Sequence, residues 1–171
     1  MSGRLPGLFQ DGVRVPNMLN LNRLLAERRL LMLDGGMGTQ LQARGLQVGE
    51  VPEEWNLRRP DDVRAIHAAY YAAGADIVMS NTFGANPAKY HGTAPLAEVV
   101  AAGVRLARAA ADAAGGRPRY VALDVGPTGR LLKPAGDCAF DDAYASFAEQ
   151  IRLGAAAGAD LVVIETMSDV Y

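Results

Sequence analysis

The chain has 171 residues, half of them apolar, and 17 basic against 19 acidic side chains give a formal charge of −2. That is the make-up of one globular domain with a sizeable core, which excludes the disordered and fibrous classes. Neither sign of charge forms a long block, so no surface for nucleic acid is announced, and the lone Cys138 can neither close an intramolecular disulfide nor make a zinc site by itself.

Residues 1–19 read as a leader broken by Gly3, Pro6, Gly7, Gly12 and Pro16. It lacks the basic-then-apolar layout of a secretory signal, and no apolar run reaches the roughly 18 residues that span a bilayer. A cytoplasmic location without a membrane partner is the expectation, with the folded domain covering residues 20–171. Asn20 is expected to cap a short helix carrying Leu21, Leu24 and Leu25, and Leu30-Leu31-Met32-Leu33 reads as a buried strand that ends at Asp34. Pro60-Asp61-Asp62 then opens a helical pattern of Val63, Ile66, Tyr70 and Ala73, closed by Gly74 and followed by the strand Asp76-Ile77-Val78-Met79.

The third unit sets Leu96, Val99, Val100, Val104 and Ala107 on one helical face, turns at Gly115-Gly116-Arg117-Pro118, and enters the strand Tyr120-Val121-Ala122-Leu123, which ends at Asp124. In the fourth, Asp141 reads as the N-cap of a helix carrying Tyr144, Phe147, Ile151 and Ala155. Gly158 leads into the strand Leu161-Val162-Val163-Ile164, which ends at Glu165. Ala-Ala-Gly-Ala-Asp around Gly74 recurs around Gly158, 84 residues later, so two units of about 42 residues fill the interval. Strands alternating with helices at this spacing imply right-handed βαβ crossovers and a parallel sheet. Four such units are half of an eight-unit α/β barrel; an open flavodoxin-like sheet is the rival, because it uses the same alternation.

In a parallel barrel the site lies at the C-terminal ends of the strands. All four expected ends carry polar residues: Asp34-Gly35-Gly36-Met37-Gly38-Thr39, Ser80-Asn81-Thr82-Phe83-Gly84-Ala85-Asn86, Asp124-Val125-Gly126-Pro127-Thr128-Gly129 and Glu165-Thr166-Met167-Ser168-Asp169. Each alone is equally explained as a turn or helix cap; together they favour an enzyme. Glycines beside Asp34 let backbone N–H groups meet a carboxylate, and an acid such as Asp34 or Glu165 suits an ammonium, so a free amino acid fits both. No P-loop or dinucleotide spacing is present. His67, one turn before Tyr71, reads as a packing or surface residue rather than a base, and Lys89 and His91 as solvated. Cys138 reads as inert, and Trp55 as a cover or flank of the barrel mouth.

These four motifs in order resemble the homocysteine S-methyltransferase family over nearly all of residues 30–171, and in particular the homocysteine-binding N-terminal domain of cobalamin-dependent methionine synthases. The resemblance implies a (β/α)8 TIM barrel that binds homocysteine and zinc. Asp34 and Glu165 would hold the amino acid, the backbone of Gly35 and Gly36 would face its carboxylate, and Asn81, Thr82 and Phe83 would line the pocket near the thiol. It also implies that three cysteines of later strands hold the zinc, which makes the thiolate that attacks a methyl group from methylcobalamin or another donor. Cys138 matches none of those cysteines, which would lie beyond Tyr171. The expectation is therefore the N-terminal half of the barrel, with no catalytic group or metal ligand of its own and little activity alone. Its partners would be the missing half or a second copy joined through bare strand edges. A barrel lyase or aldolase acting on a phosphorylated substrate, with Lys133 the nearest lysine to a strand end, and a non-catalytic half-barrel subunit are the alternatives.

Overall fold

The computed structural model describes residues 21–28 and 30–168; the leader 1–19, the expected Asn20 cap and Asp169 lie outside the described residues. Among these the strands β1 (Ile77–Met79), β2 (Tyr120–Val125) and β3 (Leu161–Ile164) form a parallel sheet in the order β1-β2-β3. The register pairs Val78 with Val121 and Asp124 with Val163. Six α-helices are described: α1 (Leu21–Arg28), α2 (Met37–Ala43), α3 (Trp55–Arg58), α4 (Pro60–Ala72), α5 (Leu96–Ala114) and α6 (Phe140–Ala156). A 3₁₀ turn, Pro52–Glu54, leads into α3. No described helix is long and apolar enough to cross a membrane.

Residues 30–33 run beside β1 but do not make the buried strand expected of them. Leu33 forms one parallel bridge with Ile77, while Leu30 and Met32 are 67% and 52% exposed. The ladder stops there because β1 is three residues long and the Met32 N–H donates to the carboxylate of Asp76 at 3.0 Å rather than to a strand carbonyl. With this segment included, neighbours in space are neighbours in sequence. An open flavodoxin-like sheet instead reverses direction at a switch point, and none occurs among the described residues. The arrangement is that of a partial, unclosed barrel. β3 departs from continuous burial too: its residues alternate, leaving Val162 and Ile164 exposed.

The helices follow from their apolar spacing. On α5, Val99, Val100, Val104 and Ala107 are buried as the period requires, and Val100, Val104 and Ala107 pack with Val78, Val121 and Leu123 in the main core. On α4, Val63 and Ile66 are buried, but Tyr71 rather than Tyr70 enters the core, where its hydroxyl donates to the Tyr120 carbonyl at 2.8 Å. α6 corrects the sequence reading further. Ala139 is its N-cap, so Asp141 lies in the first turn, where a negative charge still suits the helix dipole. Its fully buried residues are Ala143, Ser146, Gln150 and Gly154; Phe147 and Ile151 pack against the main core as expected but are only partly buried, while Tyr144 is exposed. The fully buried positions are small or polar because a Cβ on Gly154 would come within 2.5 Å of the Leu123 side chain, and because Gln150 has bonds to make. Its Nε2 donates to the Thr82 carbonyl at 2.7 Å and the Asp124 carbonyl at 3.1 Å.

The internal echo is a structural device. Gly74 and Gly158 leave their helices at φ of 109° and 94°, a conformation that favours glycine. The aspartate two residues on then reaches back to the preceding strand: Asp76 accepts the Met32 N–H, and Asp160 accepts the Val121 N–H at 2.8 Å. Each also pairs with an arginine, Arg117 with Asp76 at 3.2 Å and Arg108 with Asp160 at 2.5 Å.

Candidate functional site

A cleft of about 280 Å³ opens at the C-terminal ends of the strands, lined by Asp34, Gly35, Gly36, Met37, Met79, Asp124 and Glu165. Asp34 is fixed from both sides: its backbone N–H donates to Ile77 O at 3.1 Å, and its Oδ2 accepts the Met79 N–H at 3.1 Å. The glycine loop is held from behind by Tyr70, whose hydroxyl donates to the Gly36 carbonyl at 3.1 Å. Gly35 fits there for lack of a side chain, since a Cβ would stand 3.2 Å from that hydroxyl oxygen. Glu165 follows β3, its N–H on the Val125 carbonyl at 3.1 Å, and Thr166 after it takes φ of 59°, an unusual conformation for a β-branched residue.

Three carboxyl groups thus face one cleft, and no lysine or arginine lines it. Asp34 Oδ1 and Asp124 Oδ1 are buried without a hydrogen-bond partner. Burial, with Glu165 nearby adding to it against the stabilising N–H of Met79, pushes the Asp34 carboxyl up to about 6. Burial also pushes Asp124 up to about 7, reinforced by the charges of Glu165, Asp34 and Glu53. The site is short of positive charge.

Of the residues expected to bind substrate, Asp34, Gly35, Gly36 and Glu165 meet at this cleft, whereas Asn81, Thr82 and Phe83 do not line it. Asn81 Nδ2 donates to Pro52 O at 2.8 Å and Asn56 Oδ1 at 3.0 Å, and Thr82 Oγ1 donates to Asp124 O at 2.9 Å. Phe83 packs under the Lys89 ammonium, 4.5 Å from the ring centre, and against Gly126, where any Cβ would collide with the ring. The sequence reading missed what secures this loop. Glu53 Oε1 accepts the Gly84 N–H at 2.5 Å, and Glu54 accepts the Thr93 and Ala94 N–H groups while pairing with Arg58. Asn56 Nδ2 donates to Asn81 O and Val99 O. The signal was the run Glu53-Glu54-Trp55-Asn56, read only for its tryptophan. Trp55 is not a cover: it is buried with Leu41, Val63 and Ile66, and Arg59 stacks on it at 4.3 Å.

The remaining candidates stand apart from the cleft. His67 is fully buried with neither ring nitrogen bonded, and burial pushes it down to about 4, so it is neutral at pH 7. His91 is exposed, its Nδ1 3.2 Å from the Lys89 carbonyl oxygen, and Lys133 is exposed. Cys138 is buried, with its thiol on Ala139 O at 3.5 Å. Thr128 closes a local turn, its hydroxyl accepting the Arg130 N–H and donating to the Arg130 carbonyl. The described residues do not fit zinc: among them no group of three or more His, Cys, Asp and Glu is arranged to hold a metal ion.

The chain is similar to proteins of known name. The chain is 36% identical over 156 residues to methionine synthase of Mycobacterium tuberculosis and 35% identical over 156 residues to that of Mycobacterium leprae. These matches take in 83% of this chain but 13% of each relative, so the chain spans a small part of the curated relatives' length. Among solved structures, the metallated form of the homocysteine methyltransferase MmuM from Escherichia coli superposes with a TM-score of 0.74 at 28% identity, over 87% of this chain and 58% of that one. Its apo form gives 0.66, also at 28% identity, over 87% of this chain and 54% of that one. Residues 31–171 match the family described as Homocysteine S-methyltransferase, and the chain belongs to that family.

Proposed function

We propose that the chain forms the amino-acid-binding half of a (β/α)8 barrel, residues 20–171 with 1–19 as its leader, that methylates homocysteine to methionine. The observation that carries this reading is the cleft itself, three carboxyl groups with no cation among its lining residues, next to the backbone of Gly35 and Gly36. The substrate ammonium goes to Asp34 and Glu165, and its carboxylate to the Gly35 and Gly36 N–H groups. Neither of those two N–H groups makes a hydrogen bond within the described residues. Asn81, Thr82 and Phe83 act on the thiol side by holding the loop after β1 in place. Sulfur activation by zinc and the methyl donor, methylcobalamin in the likeness drawn from the motifs, fall to parts of the protein beyond this cleft. A phosphorylated substrate for a lyase or aldolase is disfavoured, because three acids would repel it.

Calorimetric titration of the chain with homocysteine and with its deaminated analogue, 4-mercaptobutanoate, tests the reading. Homocysteine binds and the analogue does not, and Asp34→Asn or Glu165→Gln weakens binding at least about tenfold. Equal affinity for the two compounds, or no binding of homocysteine, sinks it. A second reading concerns assembly. The exposed apolar residues Leu30 and Met32, in the segment beside β1, and Val162 and Ile164, on β3, favour pairing with further strands, from the rest of a barrel or from a second copy. A sedimentation measurement that finds only monomer at every concentration counts against the second copy.

A further inference from the structure

We propose that Asp124 is a third ligand of the substrate ammonium, its carboxyl taking one of the three N–H donors while Asp34 and Glu165 take the others. This rests on the reading of the cleft as an amino-acid site and deepens it. Asp124 lies on the middle strand β2, lines the same cleft, and is only 6% exposed. Its Oδ1 has no hydrogen-bond partner, and no hydrogen bond among the described residues reaches its side chain. Its backbone, in contrast, is pinned: the carbonyl accepts from Thr82 Oγ1 and from Gln150 Nε2. A carboxyl buried for structural reasons finds a cation or N–H donors, as Asp76 and Asp160 do here. Asp124 is left open toward the ligand instead.

Burial first, and then the charges of Glu165, Asp34 and Glu53, all acids, let it hold a proton through much of the range below neutral. An arriving ammonium reverses that balance. The Asp124 O–H bond breaks, the proton passes to solvent, and the resulting carboxylate accepts a substrate N–H while the ammonium keeps its own protons. The site then selects a primary ammonium, with three donors, over an N-methylated one, with two.

Calorimetry at pH 7 in two buffers of different ionisation enthalpy reads the proton directly. At that pH Asp34 is mostly ionised, and homocysteine binding is expected to release about half a proton from Asp124. Asp124→Asn is expected to bind homocysteine at least about tenfold more weakly, to release little or no proton, and to lose the parent's preference over N-methylhomocysteine. Its unfolding temperature stays at or above that of the parent, since no protein hydrogen bond to this side chain is lost. Parent binding with no proton release, or an Asp124→Asn chain with unchanged affinity and preference, overturns this inference and leaves the roles of Asp34 and Glu165 standing. Failure of the parent to bind homocysteine overturns the proposed function and this inference with it. Should Asp124→Asn not fold, proton release by the parent alone decides.

Discussion

At the N-terminal ends of the strands, Asp76 and Asp160 each accept an N–H of the neighbouring segment and face an arginine; at the C-terminal ends, Asp34 and Asp124 each keep a buried oxygen with no partner. The residue type is the same and the sheet is the same. What differs is whether the protein itself supplies the counter-charge. A paired buried carboxylate holds the fold together, while an unpaired one destabilises it and persists where a ligand completes it. Stability and binding are thus divided between the two ends.

Breaking the paired end gives the largest effect. Asp76→Ala strands the Met32 N–H and the Arg117 partner at a site only 5% exposed on the acid side. Urea unfolding should register a loss of about 3 kcal/mol, with the cleft chemistry untouched. At the unpaired end the effect has the opposite sign and depends on pH. The folded chain holds the Asp124 proton up to about 7, whereas the unfolded chain releases it near the ordinary value of 3.8. Its stabilising contribution is therefore full below pH 4 and is lost as pH rises to 7. Between pH 5 and 8 the parent should lose about 2 kcal/mol relative to Asp124→Asn, followed by thermal unfolding of both chains.

Asp160→Ala sharpens the comparison by degree. Its carboxylate is 23% exposed against 5% for Asp76, so solvent screening trims the expected loss to about 1 kcal/mol in the same urea experiment. His67→Leu is the smallest change. The folded value of about 4 lies below the ordinary 6.5, so the His67 contribution is full above pH 6.5 and lost as pH falls toward 4. The substitution should shift stability by less than about 1 kcal/mol at pH 7 and protect the chain at pH 5. A large loss at pH 7 would reveal a partner for the ring.

The strand and helix alternation and the cleft's Asp34, Gly35, Gly36 and Glu165 were legible because each depends on local pattern: apolar period, glycine punctuation, and an acid just past an apolar run. What stayed hidden depends on contacts distant in sequence. Nothing near Gln150 says that it bonds to backbone 68 residues away, so the apolar period of α6 points to Phe147 and Ile151, which do pack on the core, and to Tyr144, which does not, but not to Gln150. Glu53 and Glu54 carry no local signal of their role, because their partners, Gly84, Thr93 and Ala94, lie 31 to 40 residues on. Asp124 was seen as a strand end, but its missing partner is visible only in three dimensions.

The backward reach of Asp76 and Asp160 bears on how the chain comes off the ribosome. Each closes onto backbone made well before it, 44 residues for Met32 and 39 for Val121 at the start of β2. At a synthesis rate of roughly 5–20 residues per second, a newly emerged strand waits some seconds for the acid that locks it. A nascent chain therefore secures each unit only after the next helix has been made, and the most recent strand is always the one a chaperone finds open.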